Sequence, residues 1–311
     1  MMITYLFPGQ GSQRPGMLHQ LPSHYEVART IEEASKVLGR NVLELDAEDT
    51  LRSTISTQIA IYTAGVAVTR ALAAEGALPD AVAGLSVGAY AAATACGALN
   101  FQDGVRLVHL RASMMEKVFP SGFGLTAIVG LDEEQVNSIV SAATTPDAPV
   151  FVGNINALRQ IVVAGSYVGM ERVIEVAQKA GCQKAERLDV SVPSHCELLA
   201  GVADRLVDAI KDFEPRPITA HYLTNRRARP TRVFDKIRED VATNIAYSVR
   251  WHDITEVLVG MGTQLFVEVN PGGVLSKLTT EAFPEVPAIA VSSMPLEAVI
   301  RQVKEAKASA Y

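Results

Sequence analysis

The chain has 311 residues, 48% of them hydrophobic and 20% charged, with a formal net charge of −6. That length can bury a sizeable core in one large or two modest domains, and the mild acidity argues against a broad nucleic-acid surface. Three cysteines, Cys96, Cys182 and Cys196, without CxxC spacing, suggest neither a disulfide framework nor a zinc site.

The few, unpaired cysteines fit a reducing cytoplasm, and the chain enters "ITYLFPGQG" with no basic stretch followed by an apolar one. "MITYLF" reads as a short strand ending in the turn "PGQGSQ". Helical patterns follow through "HYEVARTIEEASKVLG" and "STQIAIYTAGVAVTRALAAEG", the second with apolar residues at spacings of three and four. Next come a strand, "DAVAGLS", a helix from about Val87, and the amphipathic helix "FQDGVRLVHLRASMMEKVF". The uncharged run from Asp80 to Asp103 is long enough for a membrane span. It carries strand, turn and helix signals in succession, however, and is read as buried core, with no membrane partner. Strands alternating with helices imply a mostly parallel sheet covered on both faces.

The middle of the chain changes character. "GLTAIVGL", "DEEQVNSIVSAA", "PVFVGNIN", "QIVVAGS", "VGMERVIEVAQKAG" and "QKAERLDV" run strand, helix, strand, strand, helix, strand. That βαββαβ order is the ferredoxin-like signature. We therefore expect an α/β fold with a large subdomain at 1–119 and 189–311 and a small ferredoxin-like subdomain inserted at 120–188. Afterwards the α/β pattern resumes with "HCELLAGVADRLVDAIKDF", "ITAHYLTN", a helix before "WHDITEVLVGMG", the strand "QLFVEVN" and "PGGVLSKLTTEAF".

Gly84-Leu85-Ser86-Val87-Gly88 fits G-x-S-x-G, the nucleophile elbow, with a strand before it and a small-residue helix behind. The glycines allow a sharp turn, and the helix N-terminus favours negative charge developing at the serine. The blander reading makes Ser86 an N-cap in a glycine-rich helix start. A serine needs a base at neutral pH. Of six histidines, only His195, in "VSVPSHCELL", lies in a loop end beside a domain junction; Ser194 is placed to cap the next helix and bring the imidazole into its first turn. His109 falls within an amphipathic helix. No acid is plainly positioned for a triad; Asp189 and Glu268 are candidates, and a backbone carbonyl would serve as well.

The turn "FPGQGSQ" also follows a strand, and loops at the carboxyl ends of parallel strands meet in one crevice. It has neither the Lys-Ser/Thr of a P-loop nor G-x-G-x-x-G, so it is read either as a tight turn or as presenting the Gln10 N–H to an oxyanion alongside that of Val87. Arg111 has apolar neighbours at spacings of three and four (Leu107, Val108, Met114, Met115). It can therefore face inward and hold a carboxylate by a bidentate pair. "TNRRARPTRVFDKIR", residues 224–238, packs six basic residues into an acidic protein, either as a solvated turn or as a docking site for anionic groups.

Together, "FPGQGSQ", "TQIAIYTAGVA", "GLSVGAYAA", "RLVHLRASMM", "NINALRQIVVAG", "SVPSHCELL", "YSVRW" and "VEVNPGGVLSKL" resemble the malonyl-CoA:acyl-carrier-protein transacylase family, in order and nearly end to end. The resemblance implies an α/β-hydrolase-like large subdomain with a ferredoxin-like insert. It implies Ser86 as nucleophile, His195 as base, Gln10 and Val87 as oxyanion donors and Arg111 as the clamp on malonate. It further implies substrate contacts from Gln58, Asn156 and Gln160, and a backbone carbonyl near Asn244 orienting the histidine. Malonyl-CoA would be the donor and an acyl carrier protein the acceptor, through its phosphopantetheine thiol, with no metal and no permanently bound cofactor. One departure is notable. Family members in fatty-acid synthesis typically read GHSLGE, where this chain has Leu85, Val87 and Ala89. That elbow, with "QRPGMLHQLP", is more similar to the branch of malonate decarboxylase epsilon subunits, whose acceptor is a phosphoribosyl-dephospho-CoA group on a small carrier subunit. A serine thioesterase would share the elbow and histidine but would gain nothing from an inward Arg111. A catalytically dead carrier-binding module would leave the retained residues without a purpose.

Overall fold

The computed structural model describes residues 2–119 and 121–308. Pro120, with which the expected small subdomain opens, lies outside the described residues, as do residues 1 and 309–311. The chain begins with β1 (Met2–Phe7), α1 (Tyr25–Leu38), α2 (Thr54–Ala74), β2 (Ala81–Gly84), α3 (Gly88–Ala95) and α4 (Phe101–Val118). A second unit follows: β3 (Phe123–Val129), α5 (Glu133–Ala143), β4 (Val150–Ala157), β5 (Gln160–Ser166), α6 (Tyr167–Lys179) and β6 (Lys184–Arg187). The remainder supplies α7 (Ala200–Ile210), β7 (His221–Leu223), β8 (Pro230–Thr231), α8 (Phe234–Thr243) and α9 (Trp251–Gly260). It ends with β9 (Thr263–Glu268), α10 (Val274–Ala282), β10 (Ala288–Ala290) and α11 (Leu296–Ala308).

The large sheet has the order β10-β9-β1-β2-β7-β8. Its first five strands are parallel and β8 runs antiparallel at the edge. β1 and β2 are almost wholly buried, as strands covered on both faces must be. One face carries the main apolar cluster, where 17 of the 21 residues of α2 are buried. A helix so enclosed belongs to the core and needs no polar stripe. A smaller cluster around Trp251, Ile254, Leu258, Leu275 and Leu278 covers the other face from α9 and α10. The uncharged run after Asp80 is thus β2 and α3, and among the described residues no helix is long and apolar enough to cross a membrane.

The small sheet is antiparallel, in the order β4-β5-β3-β6, which is the βαββαβ arrangement read from the sequence. β3 alternates half-buried and buried residues, because only one of its faces receives helices. α5 and α6 cover that face with Val136, Ile139, Val140 and Ala143, and with Met170, Val173 and Ala177. The two subdomains are stitched together beside β4. Ile155 N–H donates to Val249 O and Val249 N–H to Gly153 O, both at 2.9 Å. Arg250 forks onto both carboxylate oxygens of Glu133 at 3.0 and 3.2 Å. Three elements were not anticipated: β8, β10 and α11.

Candidate active site

β1, β2 and β7 are adjacent and parallel, so their carboxyl ends open at one edge of the sheet and deliver three loops there. The loop after β2 is the elbow. Ser86 has φ +58°, the left-handed conformation that a nucleophile on a strand-to-helix turn requires. The flanking glycines are steric necessities. A Cβ on Gly84 would sit 2.2 Å from the Gly88 backbone, and one on Gly88 would sit 2.1 Å from Phe7 O. Ser86 is not an N-cap; Val87 holds that position on α3, with no side-chain cap bond.

His195 is 2% exposed and approaches from the other side of the site. Its Nε2 lies 2.7 Å from Ser86 Oγ, and its Nδ1 lies 2.9 Å from Asn244 O. A carbonyl only accepts, so Nδ1 carries the proton and Nε2 is the free lone pair that takes the serine hydroxyl. Burial first, and the Arg111 charge second, push the imidazole down to about 4, leaving it neutral at physiological pH, with its Nε2 lone pair free to take a proton. His195 is not in the first turn of a helix capped by Ser194: it has φ +68°, its N–H donates to Ile245 O at 2.7 Å, and the following turn begins at Glu197. The left-handed loop swings the ring toward Ser86, which a helical backbone there would not do. Neither acid candidate orients it. Asp189 is exposed, and buried Glu268 spends its two oxygens on the Leu275 and Ser276 N–H groups, at 3.0 and 2.7 Å.

Arg111 is fully buried on α4. Its Nη2 donates to Ser86 Oγ at 3.2 Å and its Nη1 to Gln58 Oε1 at 2.5 Å, while its Nε has no partner among the described residues. No carboxylate pairs with it among the described residues, and burial lowers its pKa. A buried guanidinium without a counter-ion is a waiting anion site. Gln58 is also tied to Gln10 Oε1 and Met115 Sδ, each at 3.4 Å. Its side chain therefore fixes Arg111 and the Gln10 loop.

The loop after β1 rests on the elbow, since Leu85 N–H donates to Phe7 O at 3.0 Å. The N–H groups of Gln10 and Val87 donate to nothing among the described residues, so both are free to meet an oxyanion. A cleft of about 140 Å³ runs from this loop to the small sheet, lined by Gln10, Leu85, Asn154, Asn156 and Val274. The Oδ1 atoms of Asn154 and Asn156 are buried there without partners among the described residues. Gln160 is not brought to the cleft. It opens β5 opposite Val129 and Ala157, and is not among the residues lining that cleft. Among the described residues, no cluster of three His, Cys, Asp or Glu is placed to hold a metal ion.

Sequence reading missed Asn225, at the end of β7, whose side chain binds the elbow on both sides of Leu85. The available signal was positional, because "LTN" closes a strand of the parallel sheet.

Known proteins of similar sequence and fold are acyl transferases. The acyl transferase domain family model matches residues 4–308. The malonyl CoA-acyl carrier protein transacylase of Haemophilus influenzae is 33% identical over 296 residues, 93% of this chain and 95% of its own. That of Escherichia coli K12 is 34% identical over 284 residues, covering 89% and 91%. Among solved structures, the transacylase of Coxiella burnetii superposes with a TM-score of 0.92 at 30% identity, over 98% of this chain and 97% of that one. A malonyl-transacylase in complex with its type II PKS acyl-carrier protein gives 0.89 at 32% identity, over 94% and 96%. The chain belongs to the acyl transferase family.

Proposed function

We propose that the protein is a malonyl-CoA:acyl-carrier-protein S-malonyltransferase working through a malonyl-Ser86 intermediate. In this reading Ser86 Oγ attacks the thioester carbonyl while His195 Nε2 takes its proton. The N–H groups of Gln10 and Val87 receive the oxyanion, the C–S bond breaks, and the CoA thiolate leaves with the proton from His195 Nε2. The carrier's thiol then enters, gives its proton to His195, and reverses the steps. The Asn244 carbonyl keeps the imidazole in the working tautomer, and Asn156 offers a carbonyl oxygen to the incoming arm. The observation that carries the reading is the buried, unpaired Arg111 on the nucleophile itself. A cation there serves an acyl group with a distal carboxylate and has no use in a simple esterase or thioesterase.

The test compares malonyl and acetyl transfer in wild type and Arg111→Ala. A charge-assisted bidentate contact contributes about 1.5–3 kcal/mol, so the malonyl preference should fall roughly ten- to a hundred-fold. Equal losses for both acyl groups would make Arg111 structural and remove the support for malonyl.

An acyl carrier protein with a phosphopantetheine thiol is the better supported acceptor, because the relatives bear that name. The elbow with Leu85, Val87 and Ala89 favours a second reading, in which the acceptor is the phosphoribosyl-dephospho-CoA carrier subunit of a malonate decarboxylase. Offering both carriers to malonyl-enzyme separates the two. Transfer confined to the second carrier would overturn the first reading.

A further inference from the structure

From Gly84 C=O to Val87 C=O the elbow has seven backbone polar groups in a buried turn where neither strand nor helix ladders reach all of them. Leu85 N–H donates to Phe7 O at 3.0 Å. Gly88, Ala89 and Tyr90 N–H groups donate to Leu85, Ser86 and Val87 O at 3.0, 3.0 and 3.1 Å. Three groups remain, Gly84 C=O, Ser86 N–H and Val87 N–H, and one side chain satisfies the first two. Asn225 Nδ2 donates to Gly84 O at 2.9 Å, and Asn225 Oδ1 accepts from Ser86 N–H at 3.1 Å. After these bonds the Val87 N–H alone is left without an acceptor among the described residues.

We infer that Asn225 is a positioning residue for the reaction: its amide locks the peptide planes on both sides of Leu85, and so aims Ser86 Oγ at His195 and the Val87 N–H at the oxyanion. The inference rests on the proposed acyl-Ser86 chemistry. Two bonds in fixed geometry set the orientation of a turn whose central residue sits in a strained left-handed conformation. The clip is itself anchored. Asn225 is fully buried, its N–H donates to Asp240 Oδ1 at 2.9 Å, and its carbonyl accepts from Arg250 N–H at 3.0 Å. Tyr222 Oη donates to Asp240 Oδ2 at 2.8 Å. Burial pushes the Asp240 carboxyl up to about 6, against the pull of its bonds to Asn225 and Tyr222, so at neutral pH it is the carboxylate that holds the Asn225 backbone. Arg250 also clamps the small subdomain through Glu133, so the elbow, α8 and the subdomain junction meet at one amide.

A merely structural Asn225 would change stability and the yield of folded enzyme while leaving turnover per folded molecule intact. A positioning Asn225 changes turnover. The experiment measures the rate of Ser86 malonylation and the KM for malonyl-CoA in wild type, Asn225→Ala and Asn225→Asp, each normalised to folded protein by circular dichroism. The Asp variant keeps the shape and the acceptor oxygen while removing the donor to Gly84 O, so it tests the role even where the Ala variant does not fold. Displacing catalytic groups by about an ångström, or losing one oxyanion donor, costs about a hundred-fold or more. A partly retained elbow should accordingly lose roughly ten- to a hundred-fold in rate with KM changed less than about threefold. A folded variant acylating within about twofold of wild type, or rate and KM shifting together, overturns the positioning role alone. Wild-type protein that takes up no malonyl group overturns the proposed function and this inference with it.

Discussion

The small sheet packs Ile128, Ile161 and Val163 against Val136, Met170 and Val173, and the buried polar side chains among its described residues are Thr126, Asn154 and Ser166, none of which titrates. The large subdomain buries Arg111, His195, Asp240 and Glu268, and also Asp46, whose Oδ2 accepts from Leu18 N–H at 2.7 Å. Burying a charged or titratable group costs several kcal/mol unless bonds offset it. Glu268 is offset by two helix N–H groups and Asp240 by Asn225 and Tyr222. Arg111 and His195 are not fully offset: one has no counter-ion, and the other is held neutral. The difference separates scaffold from chemistry. The small subdomain contributes a wall and two asparagine oxygens unpartnered among the described residues, while Ser86, His195 and Arg111 meet in the large one.

Replacing His195 with alanine should slow acylation by about two to four orders of magnitude, the range for a lost general base; near-normal rates would move the base elsewhere. The same residue sets a pH limit. Its folded value of about 4 lies below the ordinary 6.5, so wild-type acylation should not lose its base as pH falls through 6.5, and should lose it only near 4. Stability runs in the same direction. The unfolded chain binds a proton that the folded one refuses, so the contribution of neutral His195 is full above 6.5 and declines as pH falls toward 4. An acidic limb of acylation centred at 6.5 would contradict the burial argument. The Arg111→Ala shift in acyl preference ranks next, at roughly ten- to a hundred-fold.

The smallest effect is expected at the basic turn. Arg226, Arg227 and Arg229 are exposed around Ala228, which has φ +48°, and with Lys236 they line one concave surface. Arg226 also stacks 3.5 Å over the Tyr247 ring, beside the segment that holds His195, so the cleaner variant is Arg227→Ala/Arg229→Ala. Malonylation by malonyl-CoA should stay near wild type, while carrier transfer slows several-fold at low salt and converges with wild type at high salt. Identical salt dependence in both proteins would leave the turn as a solvated surface.

Long periodic segments made most of the fold legible. α2, α4 and the βαββαβ order follow from spacings of three and four and from alternation. β8 and β10, at two and three residues, are too short to show a period, and α11 follows an unrecognised connection. Ser86, His195 and Arg111 were readable because a nucleophile turn, a lone loop histidine and an arginine among apolar neighbours are each locally unusual. Asn225 was not, because its role depends on β7 lying next to β2, and strand order is not written in either segment. Gln160 shows the converse: its motif is local, but its place opposite Val129 and Ala157 is set by the hairpin.

The central claim is a malonyl ester on Ser86. Brief incubation with malonyl-CoA, acid quench and intact-mass measurement followed by peptide mapping should give one malonyl group on the Ser86 peptide in wild type and none in Ser86→Ala. A malonyl adduct persisting on the Ala variant, or a wild-type protein that transfers malonyl without ever carrying it, would contradict the account.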